Sequence, residues 1–151
     1  MEKPFVLVVE DNEATCTLIT ALLQHDFVVD VANDGLEAIE TLKRRQYAVI
    51  VLDLLMPLVD GYAVLDFLRA ERPDMLGHVL VVTASLAPRE LQRVHGYPIC
   101  NVIAKPFEVD VLLAEVKRCA GGSDDGDGVR GPIITTGMLL FLADLLRQRL
   151  M

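Results

Sequence analysis

Five short apolar runs recur along the chain: FVLVV (5–9), FVVDVA (27–32), AVIVLDLL (48–55), HVLVVTA (78–84) and NVIA (101–104). Each is rich in Val and Ile and too short for an independent helix, so each is predicted to form a strand. Three of these runs are almost continuously apolar rather than alternating, which suits strands buried on both faces of a parallel sheet. Between them the period changes to that of a helix. Ala14, Leu18, Ala21 and Leu22 recur at helical spacing over 13–24, and Leu36, Ile39 and Leu42 do so over 35–46 with charges opposite. Val64, Leu65 and Leu68 share a face over 61–72, where Pro73 ends the pattern. A shorter, weaker pattern covers 87–94, and the last, over 108–119, carries Val109, Leu112, Leu113 and Val116.

Strand and helix thus alternate five times. With right-handed crossovers, such a chain closes into a doubly wound, three-layer α/β/α sandwich around a five-stranded parallel sheet. In sheets of this kind, chemistry collects beyond the C-terminal ends of the strands. Residues 1–120 are expected to form this domain.

Composition narrows the function. The chain has 151 residues, 52% of them hydrophobic and 24% charged, with a net charge of −8, a globular profile without the basic face that nucleic acid requires. Cys16, Cys100 and Cys119 lie far apart in sequence without metal-ligand spacing, and are expected to be small core residues in a reducing compartment. The start of the chain runs from MEKP straight into a strand-like segment with no secretory h-region, so a cytoplasmic location is expected.

One residue breaks the apolar pattern. Lys105 closes the run NVIA and is followed at once by Pro106. Desolvating an ammonium costs several kcal/mol unless an anion meets it. The other strand ends supply anions: the first run leads into Glu10 and Asp11, and the third contains Asp53; the fourth ends at Thr83 and Ala84. Taken singly, Asp11 reads equally well as a helix cap, Thr83 as a strand or capping residue, and Lys105 as a side chain reaching for solvent. Their conjunction at four strand ends has no such structural explanation. Three converging carboxylates repel one another unless a cation holds them, and Mg2+, a hard oxygen-seeking ion, suits the set. Lys105 then finds its counter-anion at Asp53.

The segments VVEDN (8–12), ANDGLEAIE (32–40), VLDLLMPLVDGYAVL (51–65), VVTA (81–84) and AKPF (104–107), in this order and spacing, resemble the receiver domain of two-component response regulators over about residues 3–120. The resemblance implies a flavodoxin-like form of the sandwich. It further implies that Asp53 accepts a phosphoryl group from the histidine of a sensor kinase or phosphotransfer protein. Glu10, Asp11, Asp53 and the backbone carbonyl of Leu55 would hold Mg2+, with Glu10 reaching the ion through a water. Lys105 would pair with the phosphoryl group, which Thr83 and the backbone N–H of Ala84 would hydrogen-bond, and the Lys105–Pro106 bond would be cis. A reactive acyl phosphate suits a temporary switch. The domain would act through protein–protein contact with an output partner, not as an enzyme and without touching nucleic acid directly.

Two departures from the family pattern stand out, at Val102 and in the segment HGYPICN (95–101), where Tyr97-Pro98 replaces a common Gly-Ala pair. The family usually places an aromatic residue three positions before the lysine, and here that position is Val102, which has no ring to rotate. Tyr97 is a candidate substitute. The segment 121–132, GGSDDGDGVRGP, reads as a flexible linker; it lacks the spacing and terminal Glu of a calcium loop. Over 133–151, Met138, Leu139, Leu142, Leu145, Leu146 and Leu150 form a wide apolar face opposite Asp144, Arg147 and Gln148. This amphipathic C-terminal helix is too short and interrupted to span a membrane. It is expected to dock on its own domain, a partner, a membrane surface or a second copy, with a homodimer preferred.

Two other functions compete. A hydrolase using Asp53 as nucleophile would carry a second acid two residues later, where Leu55 stands. A degenerate receiver serving as a scaffold would not need the acid pair, acceptor, threonine and lysine that are all present here.

Overall fold

The computed structural model describes residues 2–84, 87–121 and 147. The predicted strands form as β1 (Phe5–Val9), β2 (Val28–Ala32), β3 (Val49–Leu52), β4 (Val79–Thr83) and β5 (Asn101–Ala104), and the helices as α1 (Glu13–Leu23), α2 (Gly35–Arg44), α3 (Gly61–Glu71), α4 (Pro88–Val94) and α5 (Val109–Cys119). A 3₁₀ turn, Pro73–His78, follows α3 where the proline stops it. The strands pair in parallel in the order β2-β1-β3-β4-β5. This is the five-stranded, doubly wound flavodoxin-like sandwich that the alternation predicted. The linker assigned to 121–132 and the helix assigned to 133–151 lie outside the described residues, apart from Gly121 and Arg147.

Strand alternation divides the core in two. Val6, Val8, Val49, Val51, Leu80, Val82 and Ile103 face α1 and α5, where they meet Ile19, Leu23, Leu112 and Val116. Leu7, Val9, Ile50, Leu52, Val79, Val81 and Val102 face α2, α3 and α4, where they meet Leu42, Leu65, Leu68 and Val94. Every residue of β3 and β4 is buried, which explains their unbroken apolar sequences. The edge strand β2 is only partly covered and accordingly tolerates Asp30.

Helix starts follow local chemistry. Asn12, Asp34 and Asp60 each accept a hydrogen bond from the backbone N–H three residues on, capping α1, α2 and α3 at 2.9, 2.8 and 3.0 Å. Pro88 opens α4 in the first turn, a position where a missing N–H costs nothing. The start of α3 presses directly on the loop after β3. A Cβ on Gly61 would sit 2.5 Å from the Asp53 carbonyl oxygen and 2.7 Å from Leu54 Cα, so no side chain fits.

The cysteines depart from their sequence expectation. Cys16 is a free, buried thiol in α1, but Cys100 and Cys119 are joined by a disulfide, with Cα atoms 5.9 Å apart. Topology brings them together. The chain runs up β5 for about 13 Å, at ~3.3 Å per residue. It returns down α5 for about 16 Å, at ~1.5 Å per residue. The end of α5 therefore lies beside the start of β5.

Replacing Gly61 with Ala is expected to cost about 1–3 kcal/mol through displacement of backbone. Urea unfolding of Gly61→Ala tests this, and an unchanged midpoint would show that the loop after β3 yields without strain.

Candidate functional site

The sheet order explains why residues distant in sequence meet. β1 and β3 are neighbours in register, with Val9 beside Leu52, so Glu10 and Asp53 emerge side by side. β4 and β5 pair Thr83 with Ala104, which sets Lys105 next to Ala84. The backbone ladder continues to the site: Glu10 N–H donates to the Ala32 carbonyl at 3.1 Å, Asp53 N–H to Val9 at 3.1 Å and Lys105 N–H to Thr83 at 2.8 Å. These side chains therefore stand on rigid strand ends. The Lys105–Pro106 bond is cis.

Lys105 organises the cluster. Its ammonium donates to Glu10 Oε1 and lies 3.3 Å from Asp53 Oδ2. The sequence pointed to Asp53 as its counter-anion; the structure gives it two, with Glu10 the closer. The long Lys105 side chain reaches back across the strand ends to both carboxylates, and the extra methylene of Glu10 brings its oxygen to meet the ammonium. Glu10 is 2% exposed and the Lys105 side chain 20%. Burial pushes the Glu10 carboxyl above the ordinary range, and the neighbouring Asp53 adds to the effect, against the pull of Lys105. Burial alone would lower the Lys105 ammonium, but Glu10 and Asp53 outweigh it and hold it above its ordinary value.

Asp53 is fixed at both oxygens: Oδ1 accepts from Leu55 N–H at 3.1 Å, and Oδ2 faces Lys105. Asp11 is exposed, and its carboxylate together with those of Glu10 and Asp53 can bring oxygens within 4.8 Å of one another. Three carboxylates against one ammonium leave excess negative charge in a partly buried site, and such a set of hard oxygens can hold a metal ion. Thr83, 1% exposed, ends β4 at the same edge, and Leu55 lies two residues beyond Asp53 with its side chain half exposed. Beside the cluster opens a groove of about 420 Å3, lined largely by apolar side chains that include Leu18, Pro106, Phe107 and Val109.

Val102 is buried in the same apolar cluster as Val94 and Tyr97. The Tyr97 hydroxyl donates to Asp66 Oδ1 of α3 at 2.5 Å, beneath the Arg69 guanidinium. Tyr62 of α3 correspondingly donates to Glu90 of α4, and Arg93 stacks 3.6 Å from its ring centroid. Sequence reasoning missed this lattice. Its only signal was Glu90 and Arg93 on one side of a short helix, which solvation explains equally well.

Comparison with known proteins agrees with this geometry. The response regulator receiver domain family matches residues 6–117. The chain is 31% identical over 133 residues to the response regulator MprA of a Mycobacterium species, which covers 86% of this chain and 56% of MprA. It is 32% identical over 121 residues to the transcription factor SKN7 of Chaetomium thermophilum, covering 78% of this chain and 15% of that protein. The chain thus spans a small part to about half of these relatives. Among solved structures, the receiver domain of the sensor histidine kinase PA1611 from Pseudomonas aeruginosa, with magnesium in its active-site cleft, superposes with a TM-score of 0.72 at 26% identity, covering 80% of this chain and all (100%) of that one. The non-phosphorylated HemR receiver domain from Leptospira biflexa gives 0.73 at 25% identity, covering 83% of this chain and 100% of that one. With the family matched across most of its length and the acid–ammonium cluster at the strand ends, the chain belongs to the response regulator receiver domain family.

Proposed function

We propose that Asp53 accepts a phosphoryl group from a phosphohistidine on a sensor kinase or phosphotransfer protein, and that the loaded domain signals in the cytoplasm by contact with an output protein. The observation that carries this reading is the orientation of Asp53. One oxygen is held by the Leu55 N–H and the other points at the Lys105 ammonium, 3.3 Å away. An Asp53 oxygen attacks phosphorus while the phosphorus–nitrogen bond of the donor breaks, leaving an acyl phosphate and a neutral histidine. Lys105 offsets the charge on the equatorial oxygens, and the Thr83 hydroxyl and Ala84 N–H receive the transferred group.

The residues present also fit Mg2+. The donors are all oxygens: the carboxylates of Glu10, Asp11 and Asp53, to which the family resemblance adds the carbonyl of Leu55. When bound, the ion supplies charge neutralisation for an anionic phosphoryl group entering an already acidic site. Glu10 is committed to Lys105, which leaves the exposed Asp11 as the more available direct ligand. With valine at 102 and Tyr97 engaged to α3, Thr83 remains the residue that reports phosphorylation to the α4 side. The intact cluster argues against an unphosphorylated scaffold. Leu55, where a second acid would be needed, argues against a hydrolase.

Incubation with Mg2+ and acetyl phosphate is expected to add one phosphoryl group to the intact mass. Asp53→Ala should remain unmodified, and an adduct that persists in this variant would overturn the assignment. In Mg2+ titrations, Asp11→Asn should weaken binding at least about tenfold, the loss of a direct charged ligand, and Glu10→Gln should weaken it less. Equal affinity in Asp11→Asn and the unaltered protein would place the ion elsewhere.

The acyl phosphate is expected to be long-lived. Its hydrolysis needs a water held in line, and Leu55 offers no side-chain hydrogen bond to position one. Leu55→Asn should speed phosphate loss several-fold, measured by the decay of the phosphorylated mass; an unchanged or slower rate would exclude this role for position 55.

A further inference from the structure

At the opposite end of β5 from Lys105 lies a second reactive group that phosphoryl chemistry does not use. We propose that Cys100 and Cys119 are a reversible thiol–disulfide pair, exchanging with small-molecule disulfides of the glutathione class and covalently closing the β5–α5 unit when oxidised. The bond joins the residue before β5 to the last residue of α5, so the closed ring contains Lys105 and Pro106.

The surroundings give the two sulfurs different roles. Cys100 is half-buried at the edge of the core, whereas Cys119 is 3% exposed. An Arg118 guanidinium nitrogen lies 3.3 Å from Cys100 Sγ, and the same nitrogen faces the Cys100 carbonyl at 3.4 Å. A cation beside a sulfur favours its thiolate, both as nucleophile and as leaving group. Arg118 is held in place by Glu115, which accepts from Nε at 3.1 Å and, at 2.9 Å, from the same nitrogen that faces Cys100, so that only part of the guanidinium charge acts on the sulfur; Asn101 in turn donates to Glu115 at 2.9 Å. Cys100 is therefore the exchanging sulfur and Cys119 the resolving one. The Cys119 carbonyl bonds His78 Nδ1 at 2.9 Å, an anchor that keeps the end of α5 seated when the disulfide opens.

In oxidation, the Cys100 thiolate attacks one sulfur of the small disulfide, whose S–S bond breaks to release one thiolate. Cys119 gives its proton to solvent and attacks Cys100 Sγ, expelling the second thiolate. The protein loses two electrons and two protons, and the small disulfide becomes two thiols. Reduction by a small thiol reverses both steps. None of this depends on Asp53.

The test equilibrates the full chain, and Asp53→Ala in parallel, in glutathione buffers from reducing to oxidising, followed by alkylation, intact mass and peptide mapping. One transition involving both Cys100 and Cys119 is expected in both proteins, with Cys16 unaffected. The oxidised form should melt roughly 10 °C higher, because the cross-link restricts the unfolded chain. Cys119→Ser should accumulate a glutathione adduct at Cys100, and Cys100→Ser should form no intramolecular bond. Arg118→Gln in the Cys119→Ser background should slow adduct formation about tenfold near neutral pH, with the difference shrinking at alkaline pH where the thiol ionises regardless. The proposal is overturned if both thiols alkylate in every buffer, if the adduct forms on Cys119, or if the bond survives the most reducing buffer. Because Asp53→Ala reports independently, failure of the phosphoryl reading leaves the thiol result standing.

Discussion

Everything at the candidate site depends on one ammonium shared by two buried carboxylates. Lys105 alone would pay several kcal/mol for leaving water, and Glu10 and Asp53 side by side would repel each other. Together they become tolerable: Lys105 bonds Glu10, lies 3.3 Å from Asp53, and ties the ends of β1, β3 and β5 to one another. The balance is incomplete, because Asp11 adds a further negative charge at the rim. A cluster of hard oxygens in this condition can hold a divalent cation, and the proposed phosphoryl transfer rests on that charge balance.

The surrounding fold keeps this geometry exact to within the tolerance of its backbone bonds. The parallel ladder runs into the site through Glu10, Asp53 and Lys105, and the missing Cβ of Gly61 lets α3 begin against the loop that follows Asp53. On the α3–α4 side, the Tyr62–Glu90 hydrogen bond joins the two helices, and the Tyr97–Asp66 bond ties the segment before β5 to α3, within the cluster that buries Val102. β5 links the acid–ammonium cluster to the disulfide, since Lys105 follows one end of this strand and Cys100 precedes the other.

Much of this was legible in the sequence, for physical reasons. Strands buried on both faces must be apolar throughout, so β3 and β4 announce themselves. The strand-end residues were legible because the alternation fixes which ends converge. The closer pairing of Lys105 with Glu10 was not, since side-chain reach depends on strand spacing that sequence does not state. The disulfide was missed because Cys100 and Cys119 are 19 residues apart, and only the lengths of β5 and α5 taken together bring them into contact. Tyr97 was a candidate for the missing ring, but its hydroxyl is bound to Asp66 of α3, 31 residues away in sequence, a partnership that no local pattern reveals.

The most direct test of the shared ammonium is a double-mutant cycle in urea, without divalent cations, on Lys105→Met, Glu10→Gln and the pair. Lys105→Met alone should be strongly destabilising, by about 3–5 kcal/mol, because it leaves buried carboxylates uncompensated. Adding Glu10→Gln should recover a large part of that loss, giving a coupling energy of at least about 1 kcal/mol. Strictly additive effects would show that Lys105 and Glu10 act independently, and would contradict the account of the site.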